Sequence, residues 1–144
     1  MPDKTLIVIL DTNLWISFLI SKNIRKVDQL LERNIIRLLF SQESLEEFMD
    51  VRNRPKFEKY FSYPDVLKLL ELFDQYGTMV LVNSKVNACR DHKDNFLLAL
   101  AKDGNADYLV TGDTDLLILK KFGKTNIISL KGFMQKFIDS KFKN

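Results

Sequence analysis

The chain has 144 residues, of which 46% are hydrophobic and 11% aromatic, which is enough for one globular domain with a single core. Its 22 Lys and Arg residues nearly balance 19 Asp and Glu residues, so the net charge of +3 identifies no polyanionic partner. A single Cys89 and a single His92 exclude an internal disulfide and a zinc site built from several Cys and His ligands.

Two features argue against export or a membrane location. The apolar runs, such as Leu6–Leu10 and Leu14–Ile20, are shorter than the roughly 20 residues that cross a bilayer. The start, Met1–Lys4, lacks the basic region and cleavage site of a secretory signal. We therefore expect no membrane contact and a cytoplasmic location.

The first half of the chain alternates short β-rich runs with helical patterns. In chain order, the patterns predict a strand at Thr5–Leu10, helices at Asn13–Ser21 and Val27–Arg33, a strand at Ile35–Phe40, and a helix that starts at Ser41 or Ser44 and ends near Arg52.

The second half continues the alternation. The patterns predict a helix from Pro64 to Gly77, a strand at Thr78–Val82, a helix at Asp94–Lys102, a strand at Tyr108–Thr111, a helix at Thr114–Lys121, a strand at Asn126–Ser129 and a last helix from about Lys131. Strands separated by helices favour a parallel sheet covered on both faces. We predict one domain over residues 1–144, of the α/β class, with three α/β/α layers around a mainly parallel sheet of about five strands.

Acidic residues follow the predicted strands. Asp11 follows the first strand, Asp113 and Asp115 follow the "YLVT" strand, and Glu46 and Glu47 lie early in the helix after the second strand. The carboxyl ends of parallel strands share one edge of a sheet, where sites form. Oxygen ligands of this kind favour Mg²⁺ or Mn²⁺, and such ions can support attack on a phosphodiester.

The start of the helix at Asp94 adds two further acids, Asp91 and Asp94, whose position relative to that edge the strand rule does not fix. Helix capping is an alternative explanation for several acids. Asp11, Asp94 and Asp113 are good N-cap residues, and Ser44–Glu47 fits a capping box.

Four segments together resemble the PIN-domain family, close to the VapC-like toxin ribonucleases of prokaryotic toxin–antitoxin pairs, and the resemblance covers nearly the whole chain. The segments are "VILDTNLWIS", "SQESLEEFMDVRNRPKF", "DHKDNFLLALAKDGNADYLVTGDTDLL" and "NIISLKGFM". The resemblance implies catalytic, metal-binding roles for four acids, which are Asp11, Glu47, Asp94 and Asp113. It also implies that Asp115 is an extra metal ligand and that Asn13 and Thr111 support the site.

The same resemblance implies a Mg²⁺- or Mn²⁺-dependent endoribonuclease, and from it we expect an RNA substrate, an antitoxin partner and a homodimeric state. The residues alone do not separate Glu46 from Glu47, or Asp91 from Asp94. A PIN-like module that binds RNA or protein without cleavage is the alternative. A phospho-aspartyl phosphatase is disfavoured because Asn13 stands where a second Asp would be needed.

The segment 51–61 interleaves basic and aromatic residues, which can contact phosphates and stack on bases. Its candidate RNA-binding residues are Arg52, Arg54 and Lys56. A solvated loop with its aromatic side chains in the core is the competing interpretation.

Overall fold

The computed structural model describes residues 5–21, 24–52 and 63–139. The strands are β1 (Leu6–Leu10), β2 (Ile36–Phe40), β3 (Gly77–Met79), β4 (Tyr108–Val110), β5 (Lys121–Phe122) and β6 (Thr125–Ile128). The helices are α1 (Thr12–Ser21), α2 (Ile24–Glu32), α3 (Gln42–Arg52), α4 (Tyr63–Tyr76), α5 (His92–Gly104), α6 (Thr114–Leu117) and α7 (Leu130–Phe133), and a π-helical segment (Met134–Asp139) follows.

The strands form one sheet in the order β3-β2-β1-β4-β6-β5. Neighbouring strands are parallel except β5 and β6, which are antiparallel. β1 is central: Leu6 lies opposite Ile36 of β2, and Leu10 lies opposite Val110 of β4. The predicted α/β class and mainly parallel sheet are confirmed, and the described sheet has six strands where about five were predicted.

Both faces of the central strands are buried, which explains their continuous apolar sequences. Along β1, Val8 and Leu10 belong to one hydrophobic cluster and Ile9 belongs to a second cluster on the opposite face. The first cluster receives side chains from α1, α2, α3, α4 and α7, and the second receives them from α5 and α6. The predicted three-layer arrangement is therefore confirmed.

The extra strand corrects one prediction. The helix expected over Thr114–Lys121 ends at Leu117, and Lys121 pairs with Asn126 in the β5–β6 hairpin. The reversal follows Lys120, whose φ of 63° is left-handed and ends a right-handed helical path.

Strand β3 also differs from its prediction, since it covers Gly77–Met79 rather than Thr78–Val82. The first residue of β3 is a glycine at a closely packed position. A Cβ on Gly77 would overlap the Phe73 carbonyl oxygen and the Phe40 ring. Within the described ranges, no helix is both long and apolar enough to cross a membrane.

Candidate metal centre

The ends of the adjacent strands β1 and β4 bring Asp11 and Thr111 together. Asp11 N donates to the carbonyl oxygen of Val110 over 3.0 Å, which continues the pairing of the two strands. Thr111 Oγ1 donates to Asp11 Oδ2 over 2.8 Å, and both side chains are buried. This hydrogen bond fixes one carboxylate oxygen at the carboxyl edge of the sheet.

Asp11 also stabilises the start of α1. Its Oδ1 accepts a hydrogen bond from the backbone N–H of Asn13 over 3.1 Å, as an N-cap residue does. The capping interpretation is thus correct for one oxygen of Asp11, while the other oxygen belongs to the contact with Thr111. The side chain of Asn13 is exposed, so its contribution to this contact comes from its backbone.

Asp113 and Asp115 lie just beyond β4. Asp113 caps α6, since its Oδ1 accepts from the backbone N–H of Asp115 over 2.8 Å. The backbone N–H of Asp113 in turn donates to Thr111 Oγ1 over 3.1 Å. The Thr111 hydroxyl therefore contacts both Asp11 and the loop that carries Asp113.

Asp94 comes from the first turn of α5. The cap of this helix is Asp91, whose Oδ1 accepts from Lys93 N over 2.8 Å, so the alternative explanation of Asp94 as the helix cap is wrong. Asp91 is exposed, whereas Asp94 is only 4% exposed.

A group of three acids results. Carboxylate oxygens of Asp94, Asp113 and Asp115 lie within 4.8 Å of one another. In the part of the chain that the structure describes, Asp94 Oδ2 is buried without a hydrogen-bond partner. A buried oxygen without a donor is costly, and a divalent cation with oxygen ligands would satisfy it.

The electrostatics also favour a cation. Burial, followed by the charge of Asp113, a hydrogen bond between these two carboxyl groups and the charges of Asp91 and Asp11, raises the pKa of Asp94 to about 7. Like charges so close together disfavour the ionised form. A bound cation would reverse this effect.

Glu47 of α3 contacts residues at the starts of α1 and α5. Helix α3 is capped by Ser41, whose Oγ accepts from Ser44 N over 3.1 Å, so Glu47 is not the second half of a capping box. Glu47 Oε2 lies 3.5 Å from Thr12 Oγ1, and Oε1 lies 3.3 Å from Lys93 Nζ. Its neighbour Glu46 is exposed and accepts from Gln42 on the helix surface. Of the two glutamates, the described contacts thus place Glu47 beside the strand ends.

Two basic residues at this edge were missed by the sequence analysis. Arg90 Nη2 contacts both carboxylate oxygens of Asp115, at 3.2 and 3.1 Å, and Lys93 pairs with Glu47. Both lie within the "RDHKD" run that spans the start of α5, so a search for cations beside the predicted acids would have found them. The side chains of the predicted RNA-binding residues Arg52, Arg54 and Lys56 lie outside the described part of the chain.

Comparison with known proteins agrees with this geometry. The PIN domain family model matches residues 7–115. An uncharacterized protein of Methanocaldococcus jannaschii is 34% identical over 131 residues, covering 86% of this chain and 83% of that protein. VapBC2 from Rickettsia felis, solved bound to a DNA fragment from its promoter, matches with a TM-score of 0.57 and 15% identity, over 86% of this chain and 98% of that one. The match to the PIN domain model, which spans most of the chain, shows that the chain belongs to the PIN-domain family.

Proposed function

We propose that the protein is a Mg²⁺- or Mn²⁺-dependent endoribonuclease that hydrolyses phosphodiester bonds of RNA. The observation that carries the proposal is the buried, unpartnered Oδ2 of Asp94 beside the carboxylates of Asp113 and Asp115. The donor set suits a hard cation, since every candidate ligand is an oxygen. Membership of the PIN-domain family supports the same chemistry.

In this proposal Asp94, Asp113 and Asp115 hold the ion, and Asp11 and Glu47 complete its surroundings. A bound divalent cation would supply Lewis-acid charge that polarises the phosphodiester and lowers the pKa of water. Thr111 orients Asp11 through its 2.8 Å hydrogen bond. Arg90 and Lys93 reduce the repulsion between the acids by pairing with Asp115 and Glu47.

The biological role that we propose is that of the toxin in a toxin–antitoxin pair, held inactive by an antitoxin protein and active as a homodimer. The resemblance of the sequence to VapC-like toxins and the fold shared with VapBC2 support this role. A small neighbouring gene for a DNA-binding protein that co-purifies with this chain and inhibits its cleavage of RNA is the expected partner. Full activity in the presence of that protein would contradict the role.

The test of the chemistry uses two matched pairs of variants. After removal of metal with EDTA, cleavage of a fluorophore–quencher RNA is measured on return of Mn²⁺. We expect Asp94→Asn and Glu47→Gln to lose at least about 100-fold in rate, because each removes a negative charge at the ion or from its immediate surroundings. The controls Asp91→Asn and Glu46→Gln, which change exposed acids outside the group, should stay within a few-fold of the unaltered protein.

A second measurement separates cleavage from binding alone. Calorimetric titration with Mn²⁺ should give binding to the unaltered protein and loss of binding in Asp94→Asn. Mn²⁺ binding without cleavage of any RNA would favour the non-catalytic PIN-like module. Equal cleavage by Asp94→Asn and the unaltered protein would refute the nuclease site.

A further inference from the structure

A groove runs between the first turns of α3 and α5, beside the metal centre. One wall carries Glu43, Ser44 and Glu47, and the other carries His92, Lys93 and Phe96. Its volume is about 390 Å³, near the lower end of the ~300–1,000 Å³ typical of small-molecule sites. The metal centre does not account for most of these residues.

Phe96 is the unusual member of the wall. Its neighbours Leu97 and Leu98 pack into the second hydrophobic cluster, but Phe96 belongs to neither cluster of the described residues. It is half-buried and lines the groove. An aromatic ring in that position offers a flat apolar surface, on which a nucleic-acid base can stack with ~1–3 kcal/mol.

The charges around the groove differ from one side to the other. Glu43 is exposed, and among the described residues its side chain has no hydrogen bond or ion pair, so its carboxylate is free to accept hydrogen bonds. Lys93 lies beside Glu47, with its Nζ 3.3 Å from Oε1. A fitting ligand therefore combines N–H donors for Glu43 with an anionic group near Lys93.

We propose that this groove binds one guanosine of the RNA strand, next to the phosphate that is cleaved. The base stacks on Phe96, and its ring N–H and exocyclic amino group donate to the Glu43 carboxylate. The phosphate of the same nucleotide contacts the Lys93 ammonium. The inference rests on the proposed RNA cleavage and adds a specificity site to it.

Guanine is favoured by hydrogen-bond geometry. It presents two adjacent N–H donors on one edge, which match the two oxygens of a carboxylate. Adenine and cytosine each present an amino group beside a ring nitrogen that accepts, and a carboxylate repels that nitrogen. Uracil has one ring N–H between two carbonyl groups.

The first experiment maps cleavage of an RNA pool of random sequence in Mn²⁺. In the products of the unaltered protein, we expect guanine to be enriched at one position beside the cleaved bond. In the products of Glu43→Gln this enrichment should be about ten-fold lower, as expected for loss of a bidentate contact to a base. Glu46→Gln, one turn away on the exposed surface of α3, should keep the enrichment. Phe96→Leu should raise KM several-fold and leave kcat nearly unchanged.

The second experiment replaces that guanosine by inosine, which lacks only the exocyclic amino group. Inosine should lower kcat/KM at least about five-fold for the unaltered protein and have no further effect on Glu43→Gln, since the two changes remove the same contact. Circular dichroism of each variant checks that the fold is retained.

The outcomes separate this inference from the proposed function. Cleavage with no base preference, or an equal inosine effect in the unaltered protein and Glu43→Gln, would overturn the guanosine site and leave the nuclease intact. An unaltered protein that neither binds labelled RNA nor cleaves it in Mn²⁺ would overturn both.

Discussion

Thr111 Oγ1 donates a hydrogen bond to Asp11 Oδ2 over 2.8 Å and accepts one from the backbone N–H of Asp113 over 3.1 Å. One hydroxyl thus links the ends of two adjacent strands to the loop that carries Asp113. It satisfies a buried carboxylate oxygen and leaves the other oxygen of Asp11 to cap α1.

Thr111→Val should therefore loosen the site while it keeps the shape of the side chain. We expect about ten-fold weaker Mn²⁺ binding, since partners that orient metal ligands typically contribute 10–100-fold, and a loss of ~1–3 kcal/mol in the free energy of unfolding. Calorimetry and urea unfolding measure the two effects. Thr111→Ser keeps the hydroxyl and should retain both properties, and an equal loss in Thr111→Ser would show that the methyl group matters instead.

The raised pKa of Asp94 gives the metal-free protein a defined dependence on pH. The folded-state value of about 7 lies above the ordinary 3.8, so between these values the folded state binds more protons than the unfolded state. Its free energy of unfolding should fall as the pH rises through this window. One pKa unit corresponds to ~1.4 kcal/mol, so the total change in the free energy of unfolding is a few kcal/mol at most.

Urea unfolding of metal-free protein at about pH 5 and pH 8 measures this change, and Asp94→Asn should flatten it. Saturating Mn²⁺ should oppose the trend, because the cation binds the deprotonated carboxylates and its affinity rises with pH. The assignment would be contradicted if the metal-free protein became more stable between pH 5 and pH 8 and the Asp94→Asn variant became more stable by the same amount.

The gathering of Asp11 and Asp113 at one edge of the sheet could be predicted, because parallel strands end at the same edge. The contact of Asp11 with Thr111 also requires β1 and β4 to be neighbours, and the sequence patterns do not fix the strand order. The choice of Asp94 over Asp91 depends on where α5 begins. The two acids are one helical turn apart, so the position of the helix start decides which acid caps α5 and which is buried. Sequence spacing does not fix that turn. The β5–β6 hairpin was missed for a related reason, since apolar residues 116–119 fit a helix until Lys120 reverses the chain.

Lys93 should compete with a metal ion for Glu47, because its Nζ lies 3.3 Å from Oε1. Lys93→Met removes this pair and should tighten Mn²⁺ binding by about two- to five-fold, in line with the ~0.2–1 kcal/mol of an exposed ion pair. Lys102→Met removes an equal charge from the far end of α5 and should change the affinity little. Equal changes in both variants would indicate a general effect of net charge.

Gly77 is required by packing at the start of β3, where a Cβ would overlap the backbone oxygen of Phe73 and the ring of Phe40. Because a backbone atom cannot move aside as a side chain can, Gly77→Ala should lower the free energy of unfolding by ~1–3 kcal/mol. At Gly112 a Cβ meets no atom within 4 Å, so Gly112→Ala is the matched control and should be nearly neutral. Urea unfolding measures the loss of stability in both variants. A loss in Gly77→Ala alone indicates the overlap of the Cβ, and an equal loss in both indicates a general effect of replacing glycine by alanine.

Asn95 holds the loop before α5 in place. Its Oδ1 accepts from the backbone N–H groups of Ala88 and Cys89, at 3.0 and 2.7 Å, and its Nδ2 donates to the Cys89 carbonyl oxygen at 2.9 Å. The same loop carries Arg90, which pairs with Asp115. The Asn95 side chain thus positions both Cys89 and Arg90, the basic residue that pairs with Asp115.

The thiol of Cys89 reports on this loop, since it is the single cysteine of the chain. Burial, followed by the charges of Asp94, Asp115, Asp113 and Asp91, raises the pKa of Cys89, so it should react slowly with a disulfide reagent at neutral pH. Asn95→Ala leaves three backbone groups without partners and should open the loop, which should speed the reaction several-fold. Asn126→Ala, at an exposed position of β6, should leave the rate unchanged, and equal rates in all three proteins would show that Asn95 does not hold the loop.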